Sequence, residues 1–407
     1  DSIVDFRTLG AGASAEEAPV VRLLQTLFED ATQINASDIH IEPQERRLQI
    51  RFRLEGGLIL QTEADPKVRA PLALRLKLMA GLDISEKRLP QDGRFNVRVR
   101  DQHVDVRIST MPTQHGESVV LRLLNQSANI RGLDGLGMPA SMVEHFRALT
   151  QRSSGMILVT GPTGSGKTTT LYSSLSELNS VERKIITVED PIEYRLPGIS
   201  QVQTNEKIDL TFGRVLRSVL RHDPDVILVG EMRDQETAQI GLRAAITGHL
   251  VFLTLHTLDA ASTPVRLIDM GTPPFMVATA LQAVLAQRLI RVNCESCAEP
   301  YELSAAESSW LKVCGEAVDG SGKFMRGRGC SHCNGTGFQG RIGIYELLEM
   351  NDALVDAINR GDSAGFMRMA NDNMRGRTMQ SNALSLATQG RTAIAEVIRV
   401  ASSVSDA

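Results

Sequence analysis

The sequence predicts an α/β multidomain protein, and three observations carry that reading. A short apolar run over residues 155–160 breaks into a glycine-rich turn and then into a helix-compatible segment. Apolar strand candidates at 156–159, 185–188, 226–229 and 250–255 alternate with helical segments, as in a parallel sheet covered by helices. Downstream stand two C-x-x-C pairs, Cys294 with Cys297 and Cys330 with Cys333.

The turn runs Gly161-Pro162-Thr163-Gly164-Ser165-Gly166-Lys167-Thr168-Thr169 and meets the pattern G-x-x-x-x-G-K-[ST]. Glycines let successive backbone N–H groups curl around an anion, and the helix start adds the positive end of a dipole. Lys167 can reach the β- and γ-phosphates, and the Thr168 hydroxyl can ligate Mg²⁺. The expected ligand is ATP.

At 407 residues the chain is long enough for roughly two to four domains. Its 44 basic and 48 acidic residues leave a net charge of −4, which implies no field for a polyanion. Aromatic residues make up 4% of the chain, too few for a base-stacking surface, so nucleic acid is not an expected partner. No stretch approaches the roughly 18 apolar residues of a membrane span. The most apolar candidate, 276–286, is too short, and no signal peptide is visible, so the expected location is cytoplasmic. The chain begins at Asp1, and the expectation is a fragment whose natural N-terminus lies elsewhere.

Residues 1–15 read as a linker and 16–128 as an α+β N-terminal domain. Val20, Leu23, Leu24, Leu27, Phe28, Ala31 and Ile34 have helical spacing across 16–34. Leu48, Ile50, Phe52 and Leu54 alternate with polar residues as in a half-buried strand, and Gly56-Gly57 turns it. A helix is predicted over 68–79, and strands over 95–99, 104–108 and 118–124. A linker over 129–140 leads into the core at 141–290.

Parallel sheets place ligands at the carboxyl ends of their strands. Glu189, Asp190 and Glu193 follow the strand at 185–188; Glu231, Arg233 and Asp234 follow that at 226–229; His256 follows that at 250–255, with His249 just before it. Phosphoryl transfer to water needs metal held and water placed in line with the γ-phosphate. Glu231 fits the acid that supports metal and attacking water, Glu193 a second acid that polarises water, and His256 a hydrogen-bonding sensor of the γ-phosphate.

The two cysteine pairs, 32 residues apart, offer four thiolates for tetrahedral Zn²⁺ in a module over 291–343. Disulfides compete with that reading, but a cytoplasmic location disfavours them. Four sulfurs leave no open position, so the metal is expected to be structural. Cys314 receives no role, and His332 is expected to be exposed. Residues 344–403 read as a small helical subdomain, and the tail after Ser402 as disordered.

These residues together resemble a known family, the secretion-superfamily traffic ATPases, and within it the type II secretion system ATPases (the GspE family) without their first N-terminal domain. The resemblance spans about residues 16–400. It rests on Ser37-Asp38-Ile39-His40-Ile41-Glu42-Pro43, Arg88-Leu89-Pro90-Gln91-Asp92-Gly93-Arg94 and the phosphate loop. It continues through 187–194, similar to the family's Asp box, 216–225, which leads into a strand similar to its Walker B, and 247–257, similar to its His box. The tetracysteine module is found in secretion and pilus-assembly members and is missing from pilus-retraction members.

The resemblance implies a RecA-like P-loop ATPase core, an N-terminal regulatory domain, a zinc module and a helical C-terminal subdomain, assembled as a homo-oligomer, usually a hexamer. It also implies that Arg107, Arg122, Arg217 and Arg221 serve transferring phosphate, a task that suits the arginine fork. The implied activity is a cytoplasmic motor, peripheral to the inner membrane, that couples ATP hydrolysis to pseudopilus assembly. Its implied partners are the cytoplasmic domain of the membrane anchor protein and the polytopic platform protein. The Walker B strand carries no aspartate at its end, so Glu231 serves there; Arg53-Leu54-Glu55-Gly56-Gly57 stands where Asp-Gly is common. A type IV pilus assembly ATPase is the nearest alternative, and a nucleic-acid translocase the alternative from another class.

Overall fold

The computed structural model describes residues 3–6, 17–54, 57–125, 132–232, 234–313 and 324–405. Cys314, Arg233, Glu55, Gly56 and the residues before Glu17 other than 3–6 lie outside them. The chain forms two compact units, residues 1–129 and 130–407.

The first unit is a seven-stranded sheet. In chain order its strands are β1 (Ile3–Asp5), β2 (Asp38–Pro43), β3 (Leu48–Leu54), β4 (Gly57–Ala64), β5 (Gln91–Val99), β6 (Gln102–Thr113) and β7 (Gly116–Asn125). They lie in the order β1-β5-β6-β7-β2-β3-β4. The predicted helices are present as Ala18–Gln33 and Arg69–Met79. Their apolar faces, Leu24, Phe28, Leu72 and Leu76, share a core with Ile39, Ile50, Phe52, Val97, Val106 and Leu121 from alternate strand positions. Phe28 sits at its centre, 5.5 Å from the Phe6 ring and 6.3 Å from that of Phe95.

Sequence periodicity misses β2 and β4 for different reasons. In β2 the buried Ile39 and Ile41 alternate with half-buried His40 and Glu42, but two apolar residues are too few to mark a strand, and Asp38 is buried as well. β4 is the edge strand beyond β3 and exposes Leu58 and Leu60, so its apolar residues mark no core face.

The second unit is built on another seven-stranded sheet. β8 (Gly155–Thr160), β9 (Ile185–Glu189), β11 (Val226–Val229) and β12 (Leu250–Leu255) are the four predicted strands; β10 (Ser200–Gln203), β13 (Leu281–Asn293) and β16 (Phe338–Glu349) complete it. Its order is β10-β9-β11-β12-β8-β13-β16, parallel as far as β13, with β16 antiparallel to β13. A small ladder of β14 (Ala298–Pro300) and β15 (Met325–Gly327) stands apart. β8 is buried on both faces: Met156 and Leu158 enter one core, Ile157 and Val159 the other. That is why its sequence reads as a continuous apolar run.

The helical reading of 344–403 holds only after its first residues, because Phe338–Glu349 is a strand. Residues 342–348 are buried on both faces, and a short apolar run of that kind does not distinguish a buried strand from a buried helix. Four helices follow, Asp352–Asn359, Ser363–Asn373, Met379–Thr388 and Ile394–Ser405. The apolar run at 276–286 divides between the helix Pro274–Ala280 and β13. Among the described residues no helix is long and apolar enough to cross a membrane.

Candidate active site

β8 ends at Thr160 and the chain enters the loop through Gly161, at φ 147°. A Cβ there would lie 2.3 Å from Gln287 O and 2.7 Å from Ser165 Oγ, so no other residue fits. Gly164 and Gly166 also hold positive φ, 77° and 89°. Gly166 is the N-cap of the helix Lys167–Leu178 and offers no side chain to its first turn. The free N–H groups of a helix start are the donors an anion requires. From β13, Gln287 Nε2 donates to Ser165 O at 2.8 Å and fixes the loop from below. Ser165 Oγ is buried without a hydrogen-bond partner, a polar atom left over for a ligand in the cradle.

Lys167 Nζ donates to Gly161 O at 2.6 Å and to Pro162 O at 3.1 Å, so the ammonium is folded over the loop. Burial pushes its pKa down to about 8, and the Glu231 carboxylate opposes that shift.

Four strand ends are joined beside this loop. Thr160 Oγ1 accepts the Thr257 N–H at 2.9 Å and lies 3.1 Å from Leu255 O, tying β8 to the segment after β12. After β11, Gly230 N donates to Val188 O at 2.7 Å, and a Cβ on Gly230 would lie 3.2 Å from Glu189 Cα. Glycine therefore lets the ends of β9 and β11 close up, and the next residue is Glu231. Met232 N donates to Thr254 O at 3.2 Å and holds the far side of that residue against β12. Here His256 Nε2 is 3.3 Å from Glu231 Oε1. Lys167, Glu231 and His256 are thus one constellation at the carboxyl ends of β8, β11 and β12. Asp234, from the same strand end, is instead a helix cap whose Oδ1 accepts the Thr237 N–H at 2.7 Å. His249 Nδ1 lies 3.0 Å from Ala244 O in the turn before β12.

Glu193 lies in the loop between β9 and β10. Its N–H donates to Tyr172 Oη at 3.4 Å, which connects it to the helix that begins at Lys167. Glu189 is 4% exposed and takes hydrogen bonds from Tyr172, Thr187 and Gln201. Burial raises its pKa, and those donors work against the rise. Spacing alone gave no reason to single out Tyr172, Gln201 or Gln287.

The arginines occupy two places. Arg107 and Arg122 belong to the first unit, where strand register aligns Arg94, Arg107, Arg122, Asp38 and Arg53 across β5, β6, β7, β2 and β3. Strands lie about 4.8 Å apart, so such a row of cations needs counter-charge. Asp38 accepts from Arg122 Nε at 3.0 Å and lies 3.9 Å from Arg53 Nε; Asp105 accepts from Arg94 Nε at 2.9 Å. In the second unit Arg217 ion-pairs with Glu236, and Arg221 Nη1 donates to Arg217 O at 2.9 Å.

The thiols of Cys294, Cys297, Cys330 and Cys333 all lie within 4.8 Å of one another. Cys294 and Cys330 sulfurs are 3.9 Å apart, Cys297 and Cys333 3.8 Å, Cys330 and Cys333 3.7 Å. Tetrahedral metal–sulfur bonds of about 2.3 Å place ligand sulfurs about 3.8 Å apart, so the cluster fits zinc. Gly327 and Gly337 cross so closely that a Cβ on Gly327 would lie 1.9 Å from Gly337 O. The module leaves the sheet from the end of β13 and returns into β16, with Cys294 N donating to Gly337 O at 2.9 Å.

Comparison with known proteins gives the family. The family model described as "Type II/IV secretion system protein" matches residues 13–399. "Type II secretion system ATPase E" of Vibrio cholerae is 48% identical over 389 residues, covering 95% of this chain and 76% of that protein. "Type II secretion system protein E" of Dickeya dadantii is 47% identical over 386 residues, with the same coverage of 95% and 76%. The crystal structure of the pilus retraction motor PilT with bound ADP superposes with a TM-score of 0.64 at 28% identity, covering 92% of this chain and 96% of that one. The core is a RecA-like P-loop ATPase fold, and the protein is an ATP hydrolase. By the match along nearly its whole length and by its near-half identity to these ATPases, the chain belongs to the Type II/IV secretion system protein family.

Proposed function

We propose that this chain is the motor of type II secretion, turning ATP hydrolysis into work on a growing pseudopilus at the cytoplasmic face of the inner membrane. The observation that carries the reading is the convergence of Lys167, Glu231 and His256 at one edge of the parallel sheet, behind a loop shaped for phosphate. In this reading the loop from Gly161 through Thr169 binds the phosphates, with Lys167 on the β- and γ-phosphates. Thr168, supported by Glu231, would hold Mg²⁺, which neutralises charge on the β- and γ-oxygens. Glu231 orients the attacking water and takes its proton. The water oxygen bonds to the γ-phosphorus as the bond to the β,γ-bridging oxygen breaks, releasing ADP and phosphate. Glu193 polarises the same water, and His256, already 3.3 Å from Glu231, reports the γ-phosphate to the β12 end.

The proposed active unit is a homo-oligomer, a hexamer, in which Arg107 and Arg122 come from a neighbouring copy while Arg217 and Arg221 are supplied by the ATPase unit itself. Activity per chain is therefore expected to climb with protein concentration. A flat specific activity from monomer to hexamer would contradict the shared site. The proposed partners are the cytoplasmic domain of the membrane anchor protein and the polytopic platform protein.

The four-thiolate module is assigned to zinc and to contact with the membrane partner. Such a segment buries little apolar surface, and its metal-binding energy is largely its folding energy. Cys330→Ser is expected to release zinc and loosen 294–337. Gln287, which braces the phosphate loop, lies seven residues up β13 from Cys294, a distance of about 23 Å along a strand. Nucleotide affinity should therefore be retained while export in cells stops. Metal content, nucleotide titration and a secretion assay decide it; normal export without zinc would remove the module from the stroke.

A further inference from the structure

Behind the phosphate loop lies a buried polar knot that the reaction above does not use. Tyr172 stands on the helix that begins at Lys167 and is completely buried. Its hydroxyl donates to the Glu189 carboxylate and accepts from two N–H groups, the Glu193 backbone at 3.4 Å and Gln201 Nε2 at 3.3 Å. One donor and two acceptors exhaust a phenol. Burial and the Glu189 charge both push its pKa upward, so the proton stays on the oxygen and the hydroxyl remains a donor.

The other members complete a cage around the loop that carries Glu193. Gln201 Nε2 also lies 3.2 Å from Glu189 Oε1 and 3.2 Å from Tyr194 O, so its two N–H groups are shared among three acceptors, while its Oε1 accepts the Leu196 N–H at 2.7 Å. The Tyr172 ring meets the Tyr194 ring edge-on, centroids 4.6 Å apart. Glu189 itself sits against Gly230, the residue before Glu231. The Tyr172 hydroxyl thus ties the phosphate-loop helix to the Glu193 loop, and through Glu189 the tie extends to the strand end that precedes Glu231.

We infer that Tyr172, held by Glu189 and Gln201, is the positioning residue that fixes the Glu193 loop relative to the helix gripping the phosphates. The inference rests on the role given to Glu193 above. The ring fills the core, while the hydroxyl adds the bond to the Glu193 backbone beside those to Glu189 and Gln201. A carboxylate displaced by about 1 Å from an attacking water loses much of its effect, whereas phosphate binding by the loop is untouched.

The test is a double-mutant cycle on turnover by the oligomeric protein, using Tyr172→Phe, Glu193→Gln and the two combined. Tyr172→Phe keeps the ring and its packing. It is expected to lower kcat about 10-fold while KM for ATP and affinity for ADP stay within about 2-fold. In the Glu193→Gln background the same change should cost nothing further. A purely structural tyrosine would not show that non-additivity. Glu189→Gln is the second variant, should Tyr172→Phe fail to fold, and is expected to give the same kcat-specific, non-additive loss. Unchanged kcat in Tyr172→Phe, or an equal loss with and without Glu193, overturns the positioning role and leaves Glu193 in place. Full turnover by Glu193→Gln instead overturns the Glu193 assignment itself, and the inference with it.

Discussion

Lys167→Ala is expected to abolish ATP hydrolysis, with a loss on the order of 10³-fold in turnover, the scale of removing one preorganised group from a transition state. The side chain is a poor candidate for a stabilising role in the free protein. Its ammonium is held over the loop by the Gly161 and Pro162 carbonyls, and burial has already pushed its pKa down to about 8. Such a cation gains most when phosphate arrives, because a polyanion restores the charge that desolvation opposes. Thermal unfolding of the nucleotide-free variant should therefore change little while ATP affinity and turnover both fall. Measurable turnover near the wild-type rate would sink the phosphate-loop assignment.

Glu231→Gln should separate binding from chemistry. The amide keeps the size of the side chain and loses the carboxylate that takes the water proton, a contribution of about 10²- to 10⁴-fold in general base catalysis. ATP should still bind at neutral pH. The variant should also show an altered pH dependence of binding, with a definite sign. The Glu231 carboxylate raises the Lys167 pKa against desolvation, so removing its charge must lower that pKa below about 8. Lysine carries its charge below its pKa, and phosphate binds the charged form. Wild-type ATP affinity should decline as pH rises through about 8, and that of Glu231→Gln should begin its decline at lower pH. Nucleotide titrations between about pH 6.5 and 9 test this; coincident profiles would mean the carboxylate does not act on Lys167. Normal hydrolysis by the variant would remove Glu231 from the chemistry.

The parts of the site legible in the sequence are those made by consecutive residues. A phosphate loop is a property of backbone conformation, so glycines at 161, 164 and 166 followed by Lys167 and Thr168 declare it without tertiary context. The four cysteines are equally direct, since thiolates in C-x-x-C pairs carry their own spacing. Placement of Glu193, Glu231 and His256 after successive apolar strands was readable as well, because a parallel sheet gathers its strand ends along one edge.

Partners were not legible. Tyr172 and Glu189 lie 17 residues apart, and Gln201 meets Tyr172 across 29. Nothing in local spacing links them, and a tyrosine on a buried helix face reads as ordinary core. Gln287 braces the phosphate loop across 122 residues from the far side of β8. Asp38 and Arg122 pair across 84 residues only because register brings β2 and β7 together. The misread strand at 338–349 has the same origin. Its residues 342–348, buried on both faces, carry no period to set them apart from a helix, and only pairing with β13 decides their form. The sequence by itself therefore determined the local chemical pattern: a glycine-rich loop of the phosphate-binding type, thiols spaced to suit zinc, and acids at the strand ends. The tertiary structure alone decided which buried hydroxyls, amides and carboxylates hold those groups in place. Hydrogen bonds between distant strands are set by register and packing, and register is a property of the folded sheet rather than of any one segment.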